Sequence, residues 1–182
     1  MIEIKCAWAT SAPEYVDYHD KEWGRPVRDD QGLYERLCLE AFQSGLSWLT
    51  ILRKRAGFRA AFKGFDLETV AAFGAADVER LLADPGIVRN RMKIDAAIHN
   101  AQAALALPEG LATLIWRHAD PSAPAPLTMQ DVPAITDGSK ALAKDLKTNG
   151  FKFVGPTTAY ALMQACGLVN DHLATCPSRF QL

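Results

Sequence analysis

The sequence of 182 residues contains no long hydrophobic run. No apolar stretch approaches the roughly 18 residues that a membrane-spanning helix needs, and the segment Met1–Cys6 holds no hydrophobic signal core. We therefore expect a cytoplasmic protein without a membrane segment. Sustained alternation of apolar and polar residues, which is typical of half-buried strands, is also missing. Periodic helical segments are present instead, so the sequence predicts an all-α fold.

A large net charge is missing as well. With 20 Lys and Arg against 21 Asp and Glu, the formal net charge is −1, so attraction to nucleic acid could come only from local patches. Residues 41–65 carry five basic residues and no acidic one, and residues 139–155 carry four lysines and a single aspartate. This sorting permits a basic face, although exposed helices also collect lysines for solubility.

Cysteine is scarce, with four residues, and disulfides are not expected in a reducing cytoplasm. Cys38 and Cys166 fall on apolar helical stripes and are interpreted as core residues. The other two can form a Cys₂His₂ tetrahedron of the structural zinc type with two histidines, because His172 and Cys176 lie one helical turn apart. The alternative is that Cys6 is a buried thiol and His19 a surface histidine. The four candidate ligands are Cys6, His19, His172 and Cys176.

Helical periodicity and capping residues predict nine helices and one Pro-rich surface connection at 121–126. Ser11 is taken as a capping residue of the first helix, and Gly45 as the end of the second. The predicted helices are 13–22, a segment from Asp29 and Asp30 that ends at Gly45, 48–56, short helices opened by Asp66 and Asp77, 87–107, 109–118, 139–149 and 156–166.

The last two helices are joined by a short loop flanked by Gly150 and Gly155, and Pro156 starts the second of them. Such a hairpin directs backbone N–H groups and a helix N-terminus outward, which favours binding of an anion such as phosphate. Lys152 adds positive charge beside it. The alternative is an ordinary αα-hairpin without a ligand.

Glu40 lies at the margin of the apolar arc of the second helix, where a carboxylate costs energy unless it is paired or used. The following turn, Gln43–Leu46, leads to Trp48, and further aromatic residues crowd the N-terminal segment. Together these groups suit a pocket for a flat, cationic base. The alternatives are an edge glutamate that reaches solvent and aromatic residues that belong to the core. The N-terminal aromatic residues are Trp8, Tyr15, Tyr18 and Trp23.

Five sequence blocks, in order along nearly the whole chain, resemble the DNA-3-methyladenine glycosylase I family. The resemblance implies one helical domain, 1–182, with the helix-hairpin-helix DNA glycosylase fold and the hairpin at about 139–167. It also implies one structural zinc ion bound by Cys6, His19, His172 and Cys176, which joins the terminal segments 6–19 and 172–176. The blocks are Cys6-Ala-Trp8, Tyr18–Gly24, Glu40 with Gly45–Trp48, Gly150–Gly155 and Met163–His172.

The resemblance further implies a monomeric repair enzyme that flips 3-methyladenine out of double-stranded alkylated DNA and releases the free base by hydrolysis. Thr157 stands where bifunctional relatives have the Schiff-base lysine, so no lyase activity is expected. Asp171 could serve the zinc shell. The implied residues are Glu40 for catalysis; Tyr18, Glu40, Trp48, Trp8, Tyr15 and Trp23 for base binding; and Gln43, Ser44, Gly45, Leu46, Gly150, Lys152 and Gly155 for DNA binding.

Two other functions remain open at this point. One is a glycosylase for a different lesion, such as an alkylated guanine or a deaminated base. The other is a non-enzymatic helical DNA-binding module with structural zinc, which would leave Glu40 and its aromatic neighbours without a purpose.

Overall fold

The computed structural model of the chain describes residues 5–181, and this part is built of helices joined by loops, with no β-strand. The all-α prediction is confirmed. Residues 1–4 and 182, which include most of the segment searched for a signal core and both ends of the predicted 1–182 domain, lie outside the described residues. Over 5–181, no helix is both long enough and apolar enough to cross a membrane.

Nine α-helices span the described chain, together with four short 3₁₀ turns. In chain order they are α1 Pro13–Lys21, α2 Asp30–Gln43, α3 Trp48–Ala61, α4 Leu67–Ala71, α5 Ala75–Ala83, α6 Arg91–Leu105, α7 Leu111–Trp116, α8 Asp137–Thr148 and α9 Pro156–Ala165. The 3₁₀ turns are Ala7–Thr10, Lys63–Phe65, Met129–Asp131 and Pro177–Phe180.

Capping interactions explain why two helices begin at other residues than predicted, while α3 continues to Ala61 rather than ending at 56. Helix α6 begins at Arg91 rather than 87 because Asn90 Oδ1 accepts the backbone N–H of Lys93. Helix α5 begins before Asp77, whose carboxylate instead accepts the Gly74 N–H from the third helical position. The predicted cap at Ser11 is wrong, since its hydroxyl donates to the Trp8 carbonyl oxygen.

Helix α2 is the central element and packs against α3, α6, α7 and α9. Leu33, Tyr34 and Leu37 on this helix are fully buried. The Tyr34 hydroxyl donates to the carbonyl oxygen of Ala97 on α6 at 2.7 Å, so the buried polar atom is satisfied. The core placement of Cys38 and Cys166 is confirmed, because both are buried in this cluster. The last turn of α2, which carries Glu40, is thereby held rigidly inside the molecule.

A second, smaller apolar cluster joins the two ends of the described chain. Cys6, Leu173 and Cys176 are buried together, and Trp8 packs against them. Burial of these few side chains holds the segment before α1 beside the segment after α9.

Candidate functional site

An open cavity of about 350 Å³ lies between α1, the last turn of α2, the start of α3 and α9. All six residues predicted to bind a base line this one cavity, although they come from four separate segments. Its lining residues are Trp8, Tyr15, Tyr18, Trp23, Glu40, Gln43, Trp48, Met129, Val132, Ala161 and Gln164.

Glu40 is the carboxylate of the cavity and is 6% exposed. Its side chain makes no hydrogen bond to any of the residues 5–181, and burial raises its pKa from 4.5 to about 8, with Arg36 acting weakly in the opposite direction. The interpretation as an edge glutamate in solvent is therefore wrong. The cavity holds a carboxyl group whose charge has no close partner within the described protein.

Aromatic side chains form the walls around this carboxyl group. Tyr18 is buried and its ring centroid lies 5.6 Å from that of Trp48, while Trp8 meets Tyr15 at 5.6 Å and Trp23 at 5.1 Å, both edge to face. The indole Nε1 of Trp48 is buried without a partner in the described chain. The cavity thus offers flat apolar faces and one unsatisfied donor.

Four lining residues were missed by the sequence analysis: Met129, Val132, Ala161 and Gln164. Met129 begins the 3₁₀ turn Met129–Asp131 and Val132 follows that turn, in a segment where the sequence shows no motif. Gln164 lies inside the Met163–His172 block, so its position in that block was the available signal. Its Nε2 donates to Asp171 Oδ2 at 2.8 Å, and the Tyr160 hydroxyl donates to the same oxygen at 2.5 Å.

The contacts of Asp171 overturn its suggested role at the metal ligands. The carboxylate is buried against Tyr160 and Gln164, and neither histidine of the cluster bonds to it. The two histidines of the cluster bond instead to Asp20 and to the Trp23 carbonyl oxygen. Asp171 therefore orients a wall of the cavity.

The four predicted metal ligands converge, and their ligand atoms all lie within 4.8 Å of one another. His172 Nδ1 is 3.1 Å from His19 Nε2, 4.0 Å from Cys6 Sγ and 3.8 Å from Cys176 Sγ, and Cys176 Sγ is 3.6 Å from His19 Nε2. Tetrahedral zinc with ordinary Zn–S and Zn–N bonds puts its ligand atoms about 3.3–3.8 Å apart. The cluster has the composition that such an ion requires, and its measured separations of 3.1–4.0 Å lie near that range.

Hydrogen bonds orient both histidines so that one ring nitrogen of each faces the cluster. His19 Nδ1 donates to Asp20 Oδ1 at 2.7 Å, and His172 Nε2 donates to the Trp23 carbonyl oxygen at 3.1 Å. These bonds leave Nε2 of His19 and Nδ1 of His172 free to bind a cation, an arrangement that metal-binding histidines use almost always. The surface-histidine alternative for His19 is wrong, since it is 1% exposed.

Burial perturbs the protonation of the cluster. It raises the pKa of the Cys6 thiol to about 11 and lowers the pKa of His172 to about 4. A bound cation would lower the pKa of the Cys6 thiol again, because it stabilises the thiolate. The lowered pKa of His172 already favours the neutral imidazole, which is the form that binds metal.

The metal-ligand cluster and the cavity share two aromatic side chains. Trp23 lies edge to face with His172 at 4.7 Å and Trp8 lies edge to face with His19 at 5.2 Å, and both tryptophans also line the cavity. The cluster therefore fixes one wall of the cavity as well as the chain ends.

The turn Gln43–Leu46, predicted to contact DNA, projects at the mouth of the cavity. Ser44 has φ −50° and ψ 119°, and Gly45 has φ +81°, the backbone of a type II turn that favours glycine at its third position. The Leu46 N–H donates to the Gln43 carbonyl oxygen at 2.7 Å. Leu46 is 40% exposed, an apolar side chain presented to solvent at the tip of a closed turn.

The hairpin between α8 and α9 exposes fewer backbone donors than predicted. Gly150 ends its helix with φ +88°, as expected, but the N–H of Lys152 donates to Asn100 Oδ1 at 2.8 Å and is not available. Among residues 5–181, the N–H groups of 153–155, 157 and 158 have no acceptor. A Cβ added to Gly155 would meet nothing within 4 Å, so this glycine leaves space at the surface.

The two basic segments differ in the structure. Most of the basic face expected for 41–65 is absent, because Arg53, Arg55 and Arg59 pair with glutamates at 2.7, 2.6 and 2.8 Å. In the hairpin segment, Lys147 and Lys152 are exposed and form no ion pair with the described residues. Free positive charge is therefore found at the hairpin.

The chain matches one family profile and is similar to three known proteins. The methyladenine glycosylase family profile matches residues 8–180. The chain is 47% identical over 177 residues to DNA-3-methyladenine glycosylase 1 of Escherichia coli (strain K12), covering 94% of this chain and 95% of the relative. It is similar to a crystal structure of 3-methyladenine DNA glycosylase I, with a TM-score of 0.92, 46% identity, and coverage of 96% and 98%. A variant of 3-methyladenine DNA glycosylase I in complex with 3-methyladenine matches with a TM-score of 0.91, 38% identity and 98% of each chain covered.

Proposed function

The chain belongs to the methyladenine glycosylase family, and from this premise we propose that it excises 3-methyladenine from alkylated double-stranded DNA. The resemblance drawn from the sequence is confirmed at the level of the family. We also propose that the protein acts as a monomer, because every lining residue of the cavity comes from one chain. One observation carries the proposal: an unpaired, buried Glu40 carboxyl group among aromatic walls, in a cavity of about 350 Å³.

The cavity selects a cationic purine because ionisation of the buried Glu40 is unfavourable unless a positive charge lies beside it. At neutral pH the buried carboxyl group holds its proton, because ionisation without a partner is unfavourable. A purine methylated at N3 carries positive charge, and this charge lowers the pKa of Glu40 and stabilises its carboxylate. The carboxylate then accepts hydrogen bonds from the exocyclic amino group. Neutral adenine gives no such compensation, and guanine presents a carbonyl oxygen where a donor is needed.

Aromatic stacking supplies the remaining affinity for the extruded base. Tyr18 and Trp48 stand beside the carboxyl group, and each base–aromatic contact contributes about 1–3 kcal/mol. Trp8, Tyr15 and Trp23 complete the wall. Met129, Val132 and Gln164 limit the size and polarity of the base from the other side.

The chemical step needs little acid catalysis. Positive charge on the methylated adenine has already weakened the glycosidic bond, and the base leaves as a neutral molecule. Glu40, once ionised, stabilises positive charge as it moves from the base to the sugar. Thr157 occupies the position of the Schiff-base lysine of bifunctional relatives, so water completes the reaction and the DNA strand stays intact.

Two surface elements bind the DNA around the lesion. The turn Gln43–Leu46 inserts Leu46 into the space that the extruded nucleotide leaves, which offsets part of the few kcal/mol of unstacking. The hairpin of Gly150, Lys152 and Gly155 binds the phosphate backbone with its remaining N–H groups and the lysine ammonium.

The Cys₂His₂ cluster holds one zinc ion with a structural role. Its four ligands close the tetrahedron, so no position is left for a reacting water molecule. When bound, the ion crosslinks the two ends of the chain. Residues Trp8 and Trp23, which pack on the ligand histidines, are thereby held in the cavity wall.

The test is base release from DNA treated with a methylating agent, with the products separated by chromatography. The proposal predicts release of 3-methyladenine together with an equal number of abasic sites, and strand breaks only after heat or alkali. Release of another modified base instead would assign a different lesion. Binding to DNA without release of any base would assign a non-enzymatic module.

A further inference from the structure

Helix α6 carries a buried lysine that binds the end of α2. Lys93 is 8% exposed, and its Nζ donates to the carbonyl oxygens of Phe42 at 2.8 Å and Ser44 at 2.6 Å. Both acceptors belong to the last turn of α2 and the turn that follows it. The ammonium thus satisfies carbonyl groups that a helix C-terminus leaves free and lies where the helix dipole favours a cation.

The same helix binds the hairpin two turns further along. Asn100 is 1% exposed and makes a paired contact with one residue of the loop: its Oδ1 accepts the N–H of Lys152 at 2.8 Å and its Nδ2 donates to the Lys152 carbonyl oxygen at 3.0 Å. The neighbouring His99 donates from Nε2 to the Gly150 carbonyl oxygen at 2.9 Å. None of these groups belongs to the base cavity.

The two contact points are rigidly spaced. Lys93 and Asn100 are seven residues apart, which on an α-helix means the same side of the helix and a separation of about 10.5 Å along its axis. Ile94 and Ala97, which lie between these two residues, bury the helix in the core. A continuous, buried helix therefore connects the turn Gln43–Leu46 to the hairpin.

We infer that α6 fixes the distance between the base-displacing turn and the phosphate-binding hairpin, with Lys93 and Asn100 as positioning residues for excision. This inference rests on the proposed function. DNA held at the hairpin presents its lesion at a set distance, and Leu46 can fill the vacated space only if the turn stands at the matching place. The spacing needs the Lys93 contact at the turn and the Asn100 contact at Lys152, because His99 alone holds only Gly150. The loss of either contact therefore releases the spacing.

The test is a double-mutant cycle with Lys93→Met and Asn100→Leu. Each substitution replaces a polar side chain by an apolar one of similar size and so removes its hydrogen bonds. Lys63→Met is the matched control, because Lys63 is exposed at the opposite end of α3 from the turn. Two quantities are measured: the single-turnover rate of excision from a duplex oligonucleotide with one 3-methyladenine, and the calorimetric affinity for free 3-methyladenine.

We expect each single variant to excise at least tenfold more slowly, while its affinity for the free base stays within twofold of wild type. The double variant should be no more than twofold slower than the slower single variant, since one lost contact already releases the spacing. Lys63→Met should match wild type. If Asn100→Leu does not fold, Asn100→Ser replaces it in the cycle.

Three results would overturn the inference: wild-type rates in both folded single variants, rate losses that multiply in the double variant, or a loss of free-base affinity as large as the loss of excision. The first shows that neither contact matters, the second shows two independent local roles, and the third shows a distorted cavity. Failure of the wild-type protein to release any base is separate from these results and would contradict the proposed function itself.

Discussion

Replacing the buried Glu40 by glutamine should stabilise the protein, and the gain should depend on pH. The carboxyl group has a pKa of about 8 in the folded protein against 4.5 as its ordinary value, because burial disfavours its charge. The folded state therefore binds the Glu40 proton more tightly than the unfolded state does. Stability of the wild type consequently falls as the pH rises through the interval between these two values.

The size of the gain follows from the shift in pKa. Each pKa unit corresponds to about 1.4 kcal/mol, so at pH 7 the ionisation of Glu40 on unfolding costs the wild type roughly 3 kcal/mol of stability. Glutamine does not titrate. The advantage of Glu40→Gln should thus be close to zero below about pH 4.5, about 3 kcal/mol at pH 7 and roughly 4–5 kcal/mol above pH 8.

The assay is urea unfolding of wild type and Glu40→Gln at pH 5, 7 and 8.5. Both proteins contain the same Cys₂His₂ cluster, so its own pH dependence cancels in the difference between them. Glu68→Gln is the control, since Glu68 is exposed on α4, and it should show no gap that grows with pH. If the free energies of unfolding of Glu40→Gln and wild type are equal at pH 8.5, or differ by the same amount at every pH, the carboxyl group is hydrated and its pKa is not raised by burial.

The other predictions concern stacking, metal and DNA. Trp48→Ala should weaken binding of free 3-methyladenine by about 1–3 kcal/mol in calorimetric titration, the range for lost base stacking; unchanged affinity would place the base elsewhere. Cys176→Ser should lose zinc, as measured by elemental analysis, and melt at a lower temperature; zinc retained by the Cys6→Ser, Cys176→Ser double variant would contradict the ligand assignment. Lys152→Ala should weaken DNA binding and reduce the slope of log affinity against log salt by about 0.9, the effect of one lost phosphate contact; an unchanged slope would place the contact elsewhere.

Helix positions were predictable from the sequence because the apolar periods and caps act locally. Asp29, Ser47 and Asp66 cap their helices through side-chain oxygens as expected. The predicted helix bounds were wrong where a local interaction set the first residue. The cap at Asn90, for example, starts α6 four residues later than the apolar pattern indicates. Periodicity reports which residues face the core, whereas the first residue of a helix is set by its cap.

Residue types alone left the site ambiguous, and tertiary packing resolves it. Glu40 lies at the edge of an apolar arc, and only the packing of α9 against α2, with α1 and α3 beside them, shows that this edge faces the cavity. The arginines of 41–65 form a basic run in sequence but meet acidic residues from other helices in space. The role of Lys93 has no sequence signal, because its acceptors are backbone carbonyl groups about 50 residues earlier.

The most direct test of the central claim, that the Glu40 cavity recognises 3-methyladenine, compares wild type and Glu40→Gln in two assays on the same preparations. One is calorimetric titration of the free base and the other is excision from methylated DNA. The substitution keeps the shape of the side chain but removes the charge and replaces one acceptor by a donor. We expect Glu40→Gln to be at least as stable as wild type, to bind the base more weakly and to excise it more slowly. Wild-type binding together with wild-type excision would show that Glu40 does not recognise the base.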